Sequence, residues 1–282
     1  MKEKKMNIAI TGATSGIGEQ ALKSLIHDFE QIFILARNEK KANDIIQEFS
    51  KEDQKKCIFI YIDLADMDSV VKAAEKISSK TDHLDVLINN AGGIFKEKEI
   101  TKDGFEMSLS ANHLGHYLLT NKLLPLLLKS KVSKVIHVSS EAHRMGNVNF
   151  NDLNYDKRSF SSFGFYANVK LFNILFSKSL VEKFGSEGLK SYALHPGVVK
   201  TNFGQETAGA FSFLWKLASP FMITAEQGAQ TTIYLAKNKI DDKHNGAYFK
   251  KSKPVTPSRS ANSKSMRDKL WNKSSELLEK WM

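Results

Sequence analysis

A tyrosine and a lysine stand four residues apart, at Tyr166 and Lys170, within a segment of helical period. This spacing places both side chains on the same face of a helix. A free phenol has a pKa of about 10 and is a poor base at neutral pH, but a neighbouring ammonium stabilises the phenolate and lowers that pKa. The pair therefore predicts a general acid or base, with the alternative that it arose by chance in a helix without catalytic function.

A glycine-rich turn from Thr11 to Gly18, with the sequence TGATSGIG, follows the first apolar run and opens a helical pattern. Gly12 permits a tight turn, Gly16 lets backbone amides approach a pyrophosphate, and Gly18 allows close packing of helix on strand. Glycine also serves ordinary turns, but the strand–turn–helix context favours a dinucleotide site. The residues expected to bind the cofactor here are Gly12, Thr14, Ser15, Gly16, Ile17 and Gly18.

The end of the second predicted strand, Ala36-Arg37-Asn38, carries no carboxylate that could accept hydrogen bonds from a free ribose hydroxyl. A guanidinium at this place matches a phosphate on that ribose, whereas a solvated surface arginine is the alternative. Ser15 stands before Gly16, so the second positive charge often seen in NADP-binding turns is missing. The prediction is NADP(H), with NAD(H) as the alternative cofactor.

Polar and small residues also follow the third and fourth predicted strands. Asp63 could accept a hydrogen bond from an adenine amino group, or could be a structural acid at a helix N-terminus. The run Asn89-Asn90-Ala91-Gly92 lets the chain pass close to an adenosine, and Asn89 can bridge strands by hydrogen bonds. The further residues expected at the cofactor are Asp63, Leu64, Asn90, Ala91 and Gly92.

The elements that must position these residues alternate between short apolar runs and longer helical segments. The predicted strands are 8–10, 32–35, 58–62, 86–88, 135–138 and 191–194, and the predicted helices are 18–28, 41–50, 68–80, 114–129, 167–184 and 224–237. This alternation indicates an α/β fold, a Rossmann-type doubly wound parallel sheet flanked by helices. In such a sheet the ligand lies at the carboxyl ends of the strands, where the predicted site residues are. No linker divides residues 1–282, so one domain is expected.

The composition is that of a globular protein, with 41% hydrophobic and 26% charged residues in 282. No run approaches the roughly 20 apolar residues of a membrane-spanning helix, and the N-terminal segment leaves no room for a signal peptide. The single cysteine, Cys57, is expected to be a buried strand residue and suits a reducing compartment. These features predict a cytoplasmic protein.

The net charge of +10 is concentrated towards the C-terminus. Residues 250–282, predicted to be a basic C-terminal extension, hold nine Lys or Arg against three acids. A solvated segment is the simplest interpretation. Weak contact with anionic membranes through Trp271, Leu277, Leu278 and Trp281 is the alternative. No nucleic-acid partner is expected, because aromatic residues do not interleave with the basic ones.

Further residues complete a specific pattern. Val138-Ser139-Ser140 ends the fifth predicted strand, Asn112 opens the preceding helical segment, and His195-Pro196-Gly197 with Thr201 follows the sixth strand. With the glycine turn and the Tyr166–Lys170 pair, these residues resemble the short-chain dehydrogenase/reductase family over nearly the whole chain. The one departure is Val169 before Lys170, where serine is commoner in the family; it is not an acting position.

The resemblance implies a role for each residue of the pattern. Tyr166 would be the general acid in reduction and the base in oxidation, and Ser140 rather than Ser139 would hydrogen-bond the substrate oxygen. Lys170 would adjust the pKa of Tyr166 and bind ribose, and Asn112 would hold a water of the proton relay. Tyr166, Lys170, Pro196, Gly197, Val199 and Thr201 would contact the cofactor. The family also suggests a homodimer that pairs through the helices near Asn112 and Tyr166.

Within the family, residues 112–120, 138–143 and 195–199 are similar to the retinol dehydrogenase branch, which typically reduces retinal and other lipophilic aldehydes with NADPH. The apolar stretch 203–223 is either core or a substrate lid. His113, His116, His143 and His195 are better explained by packing or local hydrogen bonds than by catalysis. The expected activity is interconversion of a lipophilic carbonyl compound and its alcohol. A catalytically inactive dinucleotide-sensing protein and a nucleotide-sugar epimerase or dehydratase are the alternatives.

Overall fold

A parallel sheet forms the centre of the molecule. The structure, a computed structural model, describes residues 6–199 and 222–282. Its eight strands follow the order β3-β2-β1-β4-β5-β6-β7-β8, all parallel except β8, which pairs antiparallel with β7 at one edge. The strands are β1 Asn7–Thr11, β2 Gln31–Ala36, β3 Cys57–Tyr61, β4 Val86–Asn89, β5 Lys134–Val138, β6 Lys190–His195, β7 Tyr248–Lys250 and β8 Lys253–Val255. The predicted fold class is confirmed.

Helices cover both faces of this sheet. The longer ones are α1 Gly16–Leu25, α2 Glu39–Gln47, α3 Met67–Ser78, α4 Gly115–Leu128, α5 Ser162–Phe184, α6 Ala225–Lys237 and α7 Lys264–Leu277. Helix α5 begins at Ser162 rather than at the predicted Ala167, because the Ser161 hydroxyl caps it by accepting a hydrogen bond from the Gly164 amide. A π-helical stretch, Ser110–Leu114, leads directly into α4.

Two apolar clusters, one on each face, hold the helices to the sheet. Strand β1 shows how they divide: Ile8 and Ile10 belong to one cluster and Ala9 to the other, and all three side chains are fully buried. Successive strand residues point to opposite faces, so a central strand covered by helices on both sides must be apolar throughout. This is why the central strands were recognisable as continuous apolar runs. Cys57 lies on a strand as expected, but it is only half-buried.

A buried lysine ties α6 to the sheet. Lys134 begins β5 and is 5% exposed. Its ammonium donates to the carbonyls of Leu235, Ala236 and Asn238 at 3.1, 3.0 and 2.8 Å. These carbonyls lie at the C-terminal end of α6, where a helix has unpaired acceptors and a partial negative charge. Although burial lowers the pKa of Lys134 to about 8, the three carbonyls stabilise its charged form.

The segment 250–282, predicted as a basic extension, contributes β8 and α7 to the fold. The side chains considered for membrane contact point inward: Leu278 is fully buried, and the ring of Trp271 lies 5.1 Å from that of Tyr117. The Trp281 indole donates to Asp68 at 2.7 Å. Most of the apolar surface of these residues is therefore used for packing within the fold, and weak contact with anionic membranes stays a prediction. Among the described residues, no helix has both the length and the apolar character needed to cross a bilayer.

Helix α7 also covers the helices through which the family resemblance suggested pairing. From α7, Ser274 lies 2.8 Å from His113 Nε2, and Ser275 lies 2.6 Å from the Tyr117 hydroxyl. Trp271 adds ring contacts with Tyr117 and Phe176. Part of the surface of α4 and α5 is thus covered by this chain's own C-terminal helix.

Candidate active site

Ser140 and Tyr166 meet at the carboxyl edge of the sheet. Ser140 follows the last residue of β5, and Tyr166 lies in the first turns of α5. Their hydroxyls are hydrogen-bonded to each other. Ser139, by contrast, is buried and donates its hydroxyl to the Lys170 carbonyl at 2.6 Å. Ser140, not Ser139, is therefore the serine that is available at the site.

The protonation of Tyr166 differs from the expectation. Its side chain is 8% exposed, and burial raises the pKa of its phenol, since the hydrogen bond from Ser140 offsets only part of the desolvation. The Lys170 ammonium lies 5.4 Å from the centre of the phenol ring, where it can stabilise a phenolate, but burial remains the dominant effect. The phenol is thus held in its neutral form, which can donate a proton.

Lys170 lies beside this pair on the same face of α5. Its ammonium is buried and donates to the Val138 carbonyl at 3.0 Å. Burial lowers the pKa of Lys170 to about 8. A methyl group placed on Gly92 would come within 3.4 Å of the ammonium and 2.5 Å of Asn112 Oδ1. The predicted residues Lys170, Asn112 and Gly92 therefore lie together, and the lack of a side chain at Gly92 keeps the space between them open.

Asn112 lies in the π-helical stretch before α4. Its side-chain oxygen accepts from the Gly93 amide at 2.9 Å, and its side-chain nitrogen donates to the carbonyls of Gly93 and Ser108 at 3.2 and 3.1 Å. These hydrogen bonds fix the chain after β4 against the π-helical stretch. That Asn112 holds a water of the proton relay, as the resemblance implies, stays a prediction.

The glycine turn has the geometry that a dinucleotide site needs. Gly12 and Gly16 have φ of 68° and 54°, in the left-handed region that favours glycine. A methyl group on Gly12 would lie 2.9 Å from the Ala91 backbone, and one on Gly18 would collide with the Gly12 carbonyl. The turn therefore packs closely against the segment that follows β4, as expected.

The N-terminus of α1 is open to an anion. Ser15 precedes the helix but makes no side-chain capping bond. The N-termini of α2 and α3, by contrast, are capped by Asn38 and Asp66. Uncapped amides and the helix dipole together attract a phosphate. The turn's donors therefore fit the pyrophosphate of a dinucleotide.

Thr11 is a site residue that the sequence reasoning did not identify. Its hydroxyl accepts from the amides of Asn90 and Ala91 at 3.0 Å each, and it lies 2.9 Å from His116 Nε2. The Asn90 side chain in turn donates to the Thr11 and Gly12 carbonyls at 2.9 and 3.2 Å. One threonine hydroxyl thus joins three parts of the site. A polar residue ending an otherwise apolar strand is the signal that could have found it.

The residues predicted for the adenosine end lie along the same edge. Arg37 follows β2 and is exposed. Asp63 is partly buried, and its carboxylate accepts from the Ala65 amide at 3.0 Å, in a local turn that leaves one oxygen for another donor. Leu64 is buried, and its carbonyl lies against Gly115 at the start of α4.

The loop after β6 is described only up to residue 199. Gly197 has φ of 104°, and Pro196 and Gly197 are partly buried. Val199 is buried and bridges to Ile223. Thr201 and all but the last two residues of the predicted lid, 203–223, lie outside the described residues.

The histidines singled out in the sequence are explained by hydrogen bonds, as expected. His113 bonds Ser274, His116 bonds Thr11, and the His195 ring accepts from the Glu141 amide at 3.4 Å. His143 bonds both Ser140 and Ser258. The described residues contain no group of three or more His, Cys, Asp or Glu placed to hold a metal.

Comparison with known proteins agrees with this geometry. The family model for short chain dehydrogenases matches residues 6–210. The chain is 36% identical to human retinol dehydrogenase 12 over 272 residues, which cover 96% of this chain and 85% of that protein. Human retinol dehydrogenase 13 is 34% identical, with 96% and 84% covered.

Solved structures share the fold. An uncharacterised protein from Mycobacterium paratuberculosis superposes with a TM-score of 0.78 at 30% identity, over 97% of this chain and 93% of that one. An NADPH-bound carbonyl reductase from chicken fatty liver has a TM-score of 0.68 at 21% identity, with 90% and 100% covered, and supports the fold alone. The chain therefore belongs to the short-chain dehydrogenase/reductase family, in its retinol dehydrogenase-like branch, and is an oxidoreductase acting on CH–OH groups with NAD(P).

Proposed function

We propose that this chain interconverts a lipophilic aldehyde or ketone and its alcohol, with NADP(H) as cofactor and Tyr166 as the general acid/base. The observation that carries the proposal is the hydrogen bond between the Ser140 and Tyr166 hydroxyls, with the Lys170 ammonium beside them. Two hydroxyls this close can both donate to one carbonyl oxygen, which is where negative charge develops during reduction.

The neutral phenol suits the reductive direction. Tyr166 donates its proton to the carbonyl oxygen while Ser140 donates a hydrogen bond to the same atom. The nicotinamide, when bound, supplies the hydride to the carbonyl carbon. Lys170 then faces a phenolate and stabilises it by charge. In the oxidative direction that phenolate removes the proton of the alcohol.

Arg37 supports NADP(H) over NAD(H). It is exposed, and within residues 6–199 and 222–282 it makes no hydrogen bond or ion pair with another side chain. A guanidinium without a partner can bind a phosphate on the adenosine ribose through two parallel hydrogen bonds. No carboxylate at this strand end would repel that phosphate or accept the hydroxyl of a free ribose.

Apolar side chains near the pair support a lipophilic substrate. The Phe163 ring centre lies 6.4 Å from that of Tyr166. Met145, on the short helix that begins after Ser140, is 66% exposed, and Val198, after β6, is 44% exposed. The relatives named as retinol dehydrogenases point to an apolar aldehyde of the retinal type.

The test of the catalytic role is the Tyr166→Phe variant with NADPH and a medium-chain aldehyde. General acid catalysis is worth about 10²- to 10⁴-fold, so kcat is expected to fall by at least about 100-fold while NADPH binding, measured by fluorescence, is kept. An unchanged kcat would support the alternative of a dinucleotide-binding protein in which Tyr166 has no catalytic role.

The substrate class is tested with a panel of carbonyl compounds that differ in chain length and polarity. We expect kcat/KM with NADPH to rise with the length of the apolar chain, because each buried methylene contributes about 0.8 kcal/mol. Faster turnover of small polar ketones than of medium-chain aldehydes would refute the lipophilic substrate and leave the role of Tyr166 intact.

A further inference from the structure

We propose that His143 is a positioning residue that holds the Ser140 backbone in the orientation needed for catalysis, acting as a neutral imidazole with its proton on Nδ1. This inference rests on the proposed function of Ser140. His143 does not face the reacting atoms. It lies on the short 3₁₀ helix Glu141–Met145, which Ser140 itself caps.

The two ring nitrogens of His143 have partners that define its protonation. Nδ1 lies 2.7 Å from the Ser140 carbonyl oxygen, which can only accept, so Nδ1 must carry a proton. Nε2 lies 3.0 Å from the Ser258 amide, which can only donate, so Nε2 must be unprotonated. No other tautomer, and not the charged imidazolium, satisfies both contacts. The ring therefore links the Ser140 turn to the segment that follows β8.

The ring is also fixed by packing. His143 is 0% exposed, and its ring meets that of Tyr248 edge-on with centres 4.9 Å apart. The Ser140 carbonyl accepts a second hydrogen bond, from the His143 amide at 3.1 Å. Two donors on one carbonyl fix the peptide plane after Ser140, and a fixed plane sets the direction in which the Ser140 hydroxyl points toward Tyr166.

Neighbouring contacts brace the same turn against the C-terminal segment. The Arg144 guanidinium donates to the Thr256 carbonyl at 2.9 Å, and the Tyr248 hydroxyl donates to Glu141 at 3.2 Å. These two contacts hold the 3₁₀ helix as a whole. His143 is the residue whose side chain reaches the Ser140 carbonyl, so its removal loosens Ser140 without releasing the helix.

Two amide variants separate positioning from simple packing. In His143→Asn, the side-chain amide lies where Nδ1 was and can still donate to the Ser140 carbonyl. In His143→Gln, the amide lies nearer to Nε2 and can accept from Ser258, but the donor to Ser140 is lost. Glutamine is closer to histidine in volume, so a purely structural role predicts that Gln is tolerated better than Asn. Positioning through Nδ1 predicts the reverse order.

The experiment measures kcat and KM with NADPH and an aldehyde for the wild type, His143→Asn, His143→Gln and His143→Phe, with thermal unfolding as the check on folding. One neutral hydrogen bond is worth about 0.5–1.5 kcal/mol. We therefore expect kcat to fall about 3- to 10-fold in the Gln and Phe variants, to stay within about 2-fold in Asn, and KM to change little. A kcat that is higher in Gln than in Asn, or unchanged in Phe, overturns the inference.

A double-variant comparison distinguishes this inference from the proposed function. If His143 acts through Ser140, adding His143→Phe to Ser140→Ala causes no further loss of kcat, whereas independent effects multiply. If Ser140→Ala alone leaves kcat unchanged, the proposed role of Ser140 fails. If Ser140→Ala lowers kcat and His143→Phe does not, only the role of His143 fails. As a readout independent of activity, ¹⁵N NMR of the imidazole must show the Nδ1-protonated tautomer; the Nε2-protonated form refutes the assignment.

Discussion

Of the five buried histidines among the described residues, the three at the start of α4 and on β5 are expected to make the protein sensitive to acid. His113 precedes α4, His116 lies in its first turn, and His137 lies on β5; none is more than 2% exposed. Burial lowers the pKa of His113 and His116 to about 3, and the pKa of His137 also falls well below its ordinary value. Within the described residues, His113 Nδ1 and His137 Nε2 have no hydrogen-bond partner. Protonation would therefore bury an unpaired N–H as well as a charge.

The direction and the size of the effect follow from proton binding. In the unfolded chain these histidines titrate near pH 6.5, so at pH 5 the unfolded state binds protons that the folded state does not. The contribution of these neutral histidines to the free energy of unfolding is thus fully present above pH 6.5 and is lost as the pH falls towards 3. Between pH 7 and 5 the free energy of unfolding falls by about 2 kcal/mol for each histidine, or by about 4 kcal/mol for His113 and His116 together, and His137 adds to this loss. Domains of this kind are stable by about 5–15 kcal/mol in total, so the change is large.

Urea unfolding followed by tryptophan fluorescence at pH 7, 6 and 5 measures this loss. A His113→Phe variant removes one buried titrating ring from an aromatic cluster that contains Tyr117, Phe172 and Phe176. We expect it to be less stable at pH 7 but to lose about 1 kcal/mol less per pH unit between pH 6 and 5. The matched control is His27→Gln, because the His27 side chain is 76% exposed. Equal slopes for the wild type and His113→Phe, or a wild-type stability that does not change between pH 7 and 5, would refute the reasoning.

Three further changes test other parts of the structure. Lys134→Met leaves three carbonyls at the end of α6 without their donor and is expected to lower the free energy of unfolding by about 3 kcal/mol, measured in urea; a loss below about 0.5 kcal/mol would contradict the capping role. Deleting residues 264–282 uncovers Tyr117 and Phe176, so the shortened chain should self-associate more strongly than the whole chain in sedimentation experiments. Equal self-association of the shortened and the whole chain would refute the covering role of α7. Arg37→Asp should raise KM for NADPH by at least about 10-fold relative to NADH, and an unchanged ratio would show that Arg37 does not bind the phosphate.

The centre of the fold and most positions of the site could be predicted from the sequence because their physical requirements are local. A strand covered on both faces is apolar throughout, and Ile8–Ile10 shows this directly. The glycine turn must have positive φ at Gly12 and Gly16, which restricts the residue type. The Tyr166–Lys170 spacing follows from the helical repeat. None of these features depends on knowing which distant segment packs against them.

The C-terminal segment could not be predicted in the same way. Helix α7 has only Leu270 and Ser274 buried among many charged residues, so its sequence reads as a solvated stretch. Its place is set by single contacts with residues about 150 positions earlier, such as Ser274 with His113 and Trp271 with Tyr117. The pKa of Tyr166 was missed for a related reason. Helical spacing puts a lysine on the same face, but only the three-dimensional structure shows that burial outweighs it.

The C-terminal segment therefore holds the site from two sides. Through Ser274 it fixes His113, the residue next to Asn112, and through Ser258 it fixes His143, which holds Ser140. Neither contact touches the reacting atoms, and both come from residues that follow the cofactor-binding core in the chain. Because Asn112 and Ser140 lie on different elements, their separation depends on segments that contact both turns, and the C-terminal segment is one of them. Loosening of residues 256–282 should for this reason lower kcat before it unfolds the sheet.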